Sequence, residues 1–159
     1  LTMTTSSVIL SQASEQNIVV VNLAREGLEL VRGVREFAYY NVEQAAASLP
    51  AGTTDFFNVE GCFAIDAEHF TLRSGANNTG LNASDCEEGI FNCSDCLLYR
   101  DSATGLYVHS GVPGTETSFR RAIKIEKNGS DLRVLSEVTW NERGRNHIFK
   151  LEDYLTPWQ

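Results

Sequence analysis

The sequence predicts an α+β domain in which one long N-terminal helix packs on one face of an antiparallel sheet. Three observations lead to this class. Apolar residues recur at steps of three and four within the first 40 residues, short β-type segments follow from residue 58, and glycine-containing turns separate the later segments. At 159 residues the chain has the length of one domain, which we expect to span 1–159.

Composition narrows the function classes. Hydrophobic residues make up 42% and charged residues 21% of the chain, which is typical of globular proteins. The formal charge is −8 and the pI about 4.8. Direct nucleic-acid binding is not expected, because phosphate contacts need clustered Lys and Arg. No run of 18 apolar residues occurs, so these residues are not predicted to span a membrane.

The segment "NLAREGLELVRGVREFAYYN" (22–41) is typical of an amphipathic helix. Apolar and small residues follow the helical period at Val20, Leu23, Ala24, Gly27, Leu30, Val31, Val34, Phe37 and Ala38. No proline occurs before Pro50, so the predicted helix runs from near residue 3 to about 47, within an N-terminal unit of 1–47. Such a helix is roughly 65 Å long, which exceeds what a domain of this size can cover. Its two ends are therefore expected to have different neighbours.

The opposite side of this helix carries charges of alternating sign. Arg25, Glu29, Arg32 and Glu36 are spaced by four, three and four residues, a pattern that stabilises a helix by a few tenths of a kcal/mol per pair. Gly27 and Gly33 each cost about 1 kcal/mol relative to alanine. A close crossing, against the chain's own sheet or against another chain, would offset that cost.

The second half of the chain reads as a β-rich unit over 58–159. Six segments have β-type composition: 58–66, 96–101, 105–110, 119–127, 132–142 and 146–155. Turn sequences "SATG", "KNGSD" and "ERGR" separate the later ones. Consecutive strands joined by short turns predict an antiparallel meander, with a loop insertion at about 67–96.

Several segments resemble type IV pilin-like proteins, especially minor pilins and pseudopilins. The segment "NLAREGLELVRGVREF" is similar to the helix of these bacterial proteins. The segments "LLYRDSATGLYVHS", "FRRAIKI", "VLSEVTW" and "LEDYLTPW" follow in the same order as in that family. The resemblance covers nearly the whole chain except 67–95.

The resemblance implies a structural subunit of a type IV pilus or of a type II secretion-like pseudopilus. Its partners would be other pilin subunits and the filament assembly machinery. Mature pilins begin with an apolar segment that lies in the inner membrane before assembly and in the filament core afterwards. That segment and its processing site are not in this sequence, so we expect Leu1 to fall near the end of the membrane-spanning half. The full-length precursor would then lie in the inner membrane, and the filament at the cell surface or on the periplasmic side.

In this interpretation the helix carries the assembly surface. The residues expected to form it are Val20, Ala24, Arg25, Gly27, Glu29, Arg32 and Glu36. The alternative is a secreted or surface-displayed binding module, adhesin-like, that recognises a ligand through the 67–96 loop and uses the helix as a scaffold.

The four cysteines are Cys62, Cys86, Cys93 and Cys96. An even number in an exported-type chain favours two disulfides, and four cysteines allow three pairings. The strand-like surroundings of Cys62 and Cys96 favour that pair, with Cys86–Cys93 as the second. The alternative is a zinc site at the C-x-x-C of "CSDC", but structural zinc sites normally use two such pairs.

The loop insertion and the histidines offer few candidates for chemistry. Asp85, Glu87, Glu88 and Asp95 have the oxygen ligands that Ca²⁺ prefers, but their spacing is not that of an EF-hand, and solvated acidic residues are the alternative. His69, His109 and His147 are scattered and belong to no catalytic motif, so each is expected to be a surface or strand histidine. We therefore expect no enzyme activity and no cofactor. Trp140, Tyr154 and Trp158 are expected to anchor the core and the C-terminus, with a partner surface as the alternative.

Overall fold

The computed structural model describes residues 2–40, 48–50, 55–68, 70–73, 86, 90–109 and 113–157, with helix side chains from Glu15 onward. The elements are α1 (Thr2–Tyr40), β1 (Gly61–Phe63), β2 (Leu97–Asp101), β3 (Tyr107–Val108), β4 (Gly114–Asn128), β5 (Asp131–Glu142) and β6 (Arg145–Leu155). The predicted class is confirmed: α1 packs on a six-stranded antiparallel sheet. The predicted helix end near residue 47 lies outside the described residues.

The strand order is β3-β2-β4-β5-β6, and β1 also pairs with β4. Strands β4, β5 and β6 form consecutive hairpins, as the turn sequences predict. The first part of the sheet differs from a simple meander, because β4 returns past β3 to pair with β2. Strands β1 and β2 share one edge of β4, since Phe63 lies opposite Ile123 and Leu97 opposite Arg120.

The β5–β6 turn has two central residues, Arg143 and Gly144, with φ angles of 52° and 78°. Both therefore lie in the left-handed region, as a type I′ hairpin turn requires. This turn sets the register in which Glu142 lies opposite Arg145 and Leu132 opposite Leu155.

The core lies between α1 and the sheet. Near the helix centre, Leu28, Val31 and Val34 pack with Ile123 and Val134. Towards the N-terminal side a second cluster is formed by Val20, Leu23, Ala24, Leu98, Phe119, Val138 and Trp140. Each large apolar side chain buried in this way contributes about 1.5–3 kcal/mol relative to an exposed one.

The expected aromatic anchors have different environments. Trp140 is buried, as predicted. Tyr154 is 48% exposed, so its predicted core position is wrong. It lies on β6 opposite Arg133, and residues at odd and even positions of a strand point to opposite faces of the sheet. Trp158 lies outside the described residues.

The helix lies directly against the sheet at Gly27. A Cβ atom at this position would lie 2.7 Å from Ser136 Oγ and 2.8 Å from Ile123 Cδ1. The glycine therefore serves packing within the chain, the first of the two possibilities that the sequence left open. Gly33 has a different neighbour, because a Cβ there would meet the ring of Phe70 at 2.6 Å.

Two disulfides are present, as predicted, but the favoured pairing is wrong. The bonds join Cys62 to Cys86 and Cys93 to Cys96. A 3-10 turn at Ile90–Asn92 and the turn after it bring the Cα atoms of Cys93 and Cys96 to 5.3 Å. This local closure leaves Cys62 on β1 to bond with Cys86 from the insertion.

Candidate assembly surface

One side of α1 faces away from the sheet between residues 15 and 40. Exposed residues at Ile18, Asn22, Arg25, Glu29, Glu36 and Tyr40 follow the helical period, and we call this set the outer stripe. Its ends are apolar: Ile18 is 60% and Tyr40 78% exposed. Its centre is charged.

The structure divides the predicted assembly residues into two groups. Val20, Ala24 and Gly27 are buried against the chain's own sheet, so they lie off the exposed surface. Arg25, Glu29 and Glu36 are exposed and belong to the outer stripe. The helical period alone assigned both groups to one set, because it does not say which arc of the helix the sheet covers.

Arg32 takes an intermediate position and binds within the chain. Its Nε and Nη2 donate to Asp153 Oδ2 at 3.0 and 2.8 Å, and its Nη1 pairs with Glu29. The hydrogen bonds that Arg32 donates to the Asp153 carboxylate raise the pKa of its guanidinium. Arg32 therefore attaches the helix to β6, a partner 121 residues away that sequence spacing does not identify.

Arg121 lies beneath the helix and is fully buried. Its Nη1 donates to the carbonyl oxygen of Leu23 at 3.0 Å and its Nη2 to that of Ile65 at 2.7 Å, with Glu26 Oε1 at 3.6 Å. Burial lowers its pKa, and the charges of Glu26 and Asp66 oppose that shift. Arg121 is two residues from Phe119 and two from Ile123 on β4, so all three side chains point to the same face of the sheet. This spacing is the signal that would have identified Arg121 as inward-facing.

A second buried polar group connects the start of the insertion with the end of β3. Asp66 Oδ2 accepts from Arg73 Nη2 at 2.7 Å and from the backbone N–H of His109 at 3.0 Å. His109 is 5% exposed and directly follows β3, so of the two expected positions, surface or strand, the surface one does not apply to it. Burial, together with the charges of Arg121 and Arg73, lowers the pKa of His109 to about 3, although Asp66 opposes the shift. His109 is therefore neutral at physiological pH.

The helix continues past the β5–β6 hairpin at its N-terminal end. Glu15 and Gln16 line a cleft of about 380 Å³ together with Asn141, Glu142 and Arg143 of the β5–β6 hairpin. The hairpin marks the end of these two strands, and α1 extends for 13 further residues, 2–14. At 1.5 Å per residue that extension is about 20 Å long.

The candidate calcium ligands are only partly described. Asp95 is exposed, whereas Asp85, Glu87 and Glu88 lie outside the described residues. Within the described ranges, no group of three or more His, Cys, Asp or Glu side chains could hold a metal ion. Among the described residues, no helix is long and apolar enough to cross a membrane.

Comparison with known proteins adds no assignment. No family model matches this chain, and no curated protein or solved structure matches it either.

Proposed function

We propose that this chain is a structural subunit of a type IV pilus or of a type II secretion-like pseudopilus. The observation that carries the proposal is that two parts of α1 have different surroundings. Residues 20–38 bury one face of the helix on the sheet, while the helix extends 13 residues past the β5–β6 hairpin. A filament of this class needs both parts: a helix that reaches into a shared bundle, and a folded unit that covers the bundle from outside.

The outer stripe supplies the contacts between subunits in this proposal. Arg25, Glu29 and Glu36 are exposed, and these charges of both signs can meet complementary charges on a neighbouring helix. Exposed interface charges contribute more to register and association rate than to affinity. The apolar ends of the stripe, Ile18 and Tyr40, supply surface whose burial stabilises at about 25 cal/mol per Å².

The proposal also assigns partners and a location. The partners are other pilin subunits and the assembly machinery, and the precursor is anchored in the inner membrane by an apolar segment that precedes Leu1. After assembly the sheet and its disulfide-bonded loop lie on the outside of a filament at the cell surface or on the periplasmic side.

A second candidate is a secreted or surface-displayed binding module. It is favoured by the Cys62–Cys86 bond and the buried Asp66–Arg73 pair, which hold the insertion at two points. In this case the insertion would recognise a ligand, and the helix would be a scaffold.

The coding sequence upstream of Leu1 distinguishes the two candidates. The filament proposal expects a processing site followed by about 20 apolar residues. A secretory signal peptide directly before Leu1, or an unrelated domain in its place, would contradict that proposal. Immunogold labelling of intact cells provides the second readout, with label expected along filaments and not evenly over the surface.

A further inference from the structure

Strand β6 has a free edge, and its charged and apolar side chains are complementary to those of a second β6 that runs antiparallel to it. Strand β6 spans Arg145–Leu155, and among the described residues it pairs only with β5. Its 11 residues offer a long row of backbone groups to a further strand, and such edges are templates for strand addition. Within β6, Ile148 and Tyr154 are 46% and 48% exposed on the sheet face opposite the helix.

The hairpin turn determines which backbone groups face this edge. Glu142 and Arg145 flank a two-residue turn, so they form the hydrogen-bonded pair that closes it. Hydrogen-bonded and non-hydrogen-bonded pairs then alternate along an antiparallel ladder. The even-numbered residues of β6 therefore direct their N–H and C=O groups to the free edge, and the same residues carry the exposed side chains.

We propose that β6 pairs antiparallel with β6 of a second copy of this chain, about a two-fold axis at Leu151. In this register Lys150 lies opposite Glu152 of the other chain, and Ile148 lies opposite Tyr154. The half-buried side chains of the two Leu151 residues meet at the centre, on the helix side. Shifting each chain by one residue either way places Lys150 opposite Lys150 or Glu152 opposite Glu152, which like-charge repulsion disfavours.

Charge pairs within each sheet support this register. On the face opposite the helix, Arg133 binds Glu126 at 3.0 Å and Glu152 at 2.7 Å, so a row of alternating charge ends on Glu152. A second row joins Glu137 to Lys150 at 2.9 Å and ends on Lys150. In the proposed register, Glu152 at the end of the first row lies beside Lys150 at the end of the second row in the other chain. Positive and negative charges therefore continue to alternate across the contact.

The pairing does not rest on the proposed filament function. Subunits of one polar filament all point the same way, so a two-fold pair cannot form inside it. In the context of filaments it would join two of them side by side. One pair of edge strands is a smaller contact than the 1,200–2,000 Å² or so of a standard stable interface, so the pair is weak in dilute solution and is best detected covalently.

Cysteine crosslinking tests the register. All four native cysteines are in disulfides, so Ile148→Cys and Tyr154→Cys each add one thiol at an exposed site. Residues in a hydrogen-bonded pair have Cα atoms about 5.5 Å apart, within disulfide range. When the two variants are mixed and oxidised mildly, a disulfide-linked heterodimer should form. Each variant alone should stay monomeric, because like positions are six residues, or about 20 Å, apart in this register.

Two matched controls complete the test. Glu116→Cys places an exposed thiol on β4, and its mixture with Tyr154→Cys should give no heterodimer. Adding Glu152→Lys to both crosslinking variants should abolish the heterodimer by placing two lysines opposite each other, whereas Glu116→Lys, with the same change of charge, should leave it intact. Thermal unfolding of each variant verifies that it is folded. Absence of the heterodimer from the Ile148→Cys and Tyr154→Cys mixture, or equal yields in the unmixed samples, would overturn the proposal.

Discussion

At the scale of single residues, the room around a position and its exposure to solvent decide which substitutions it tolerates. Gly27 and Gly33 are both helix-interior glycines, but their surroundings differ. Gly27 faces Ser136 and Ile123 of the sheet, whereas Gly33 faces the end of the Phe70 ring, which is 38% exposed. A partly exposed ring can move aside, but two side chains in the core cannot.

Alanine substitutions should therefore have opposite consequences at these two glycines. Gly27→Ala should destabilise the protein, because overpacking costs about 1–3 kcal/mol and the gain in helix propensity recovers only about 1 kcal/mol. Gly33→Ala should be neutral or stabilising by up to about 1 kcal/mol. Urea unfolding of the two variants measures the difference. Equal effects of the two substitutions would contradict the close crossing at Gly27.

His109 predicts a dependence of stability on pH. Its pKa is lowered to about 3 in the folded protein, so the unfolded chain takes up a proton first as the pH falls. The stabilisation is complete above the unfolded pKa of about 6.5 and is lost towards pH 3, at up to about 1.4 kcal/mol per pH unit. His109→Gln should lose stability less steeply than the wild type between pH 6 and pH 4 in urea titrations. Parallel stability curves for the two proteins would show that His109 contributes nothing to acid sensitivity.

At the scale of elements, sequence reasoning identified most of the architecture and few of its partners. Periods of 3.6 and 2 predicted α1 and the β4–β5–β6 hairpins because these patterns are local. The Arg32–Asp153 pair, the burial of Arg121 under Leu23 and the disulfide pairing depend on which segments meet in space. Of these, only the inward position of Arg121 is indicated by a local sequence pattern, namely its spacing of two residues from Phe119 and from Ile123. Of the residues predicted for the assembly surface, Arg25, Glu29 and Glu36 are exposed, and their role in assembly stays a prediction.

The two disulfides should contribute unequally to stability. Cys62–Cys86 spans a sequence separation of 24 residues and Cys93–Cys96 one of three. In the chain-entropy model, a bond stabilises by about 3–4 kcal/mol at the longer separation and by about 2 kcal/mol at the shorter one. The variant Cys62→Ala/Cys86→Ala should therefore unfold at a lower temperature than Cys93→Ala/Cys96→Ala. The reverse order in calorimetry would place the main structural role in the short loop.

The Arg32–Asp153 pair joins α1 to β6, so a substitution of Arg32 does not separate assembly from folding. Arg32→Glu would place a carboxylate beside Asp153, which is 26% exposed, and would disturb folding as well as any contact between subunits. A double-mutant cycle with Arg32→Ala and Asp153→Ala should give a coupling of about 0.2–1 kcal/mol, the range of partly exposed ion pairs. Zero coupling would remove the pair as a link between helix and sheet.

At the scale of the whole molecule, we propose that the two sides of α1 have different roles. The inner side, with Val20, Ala24 and Gly27, completes the core. In the proposed filament, the outer stripe and the extension past the hairpin contact other subunits. If this division is right, a variant on the outer stripe separates assembly from folding, whereas a variant on the inner side affects both.

The most direct measurement is the amount of this protein in sheared surface filaments from cells that express full-length variants. Arg25→Glu reverses a charge on the outer stripe, and Arg100→Glu makes the same change at an exposed position of β2. Both variants should accumulate in cells at wild-type levels, because neither residue is buried. We expect Arg25→Glu to be strongly depleted from the filament fraction and Arg100→Glu to be incorporated normally. Normal incorporation of both variants, or absence of the wild-type protein from the filament fraction, would contradict it.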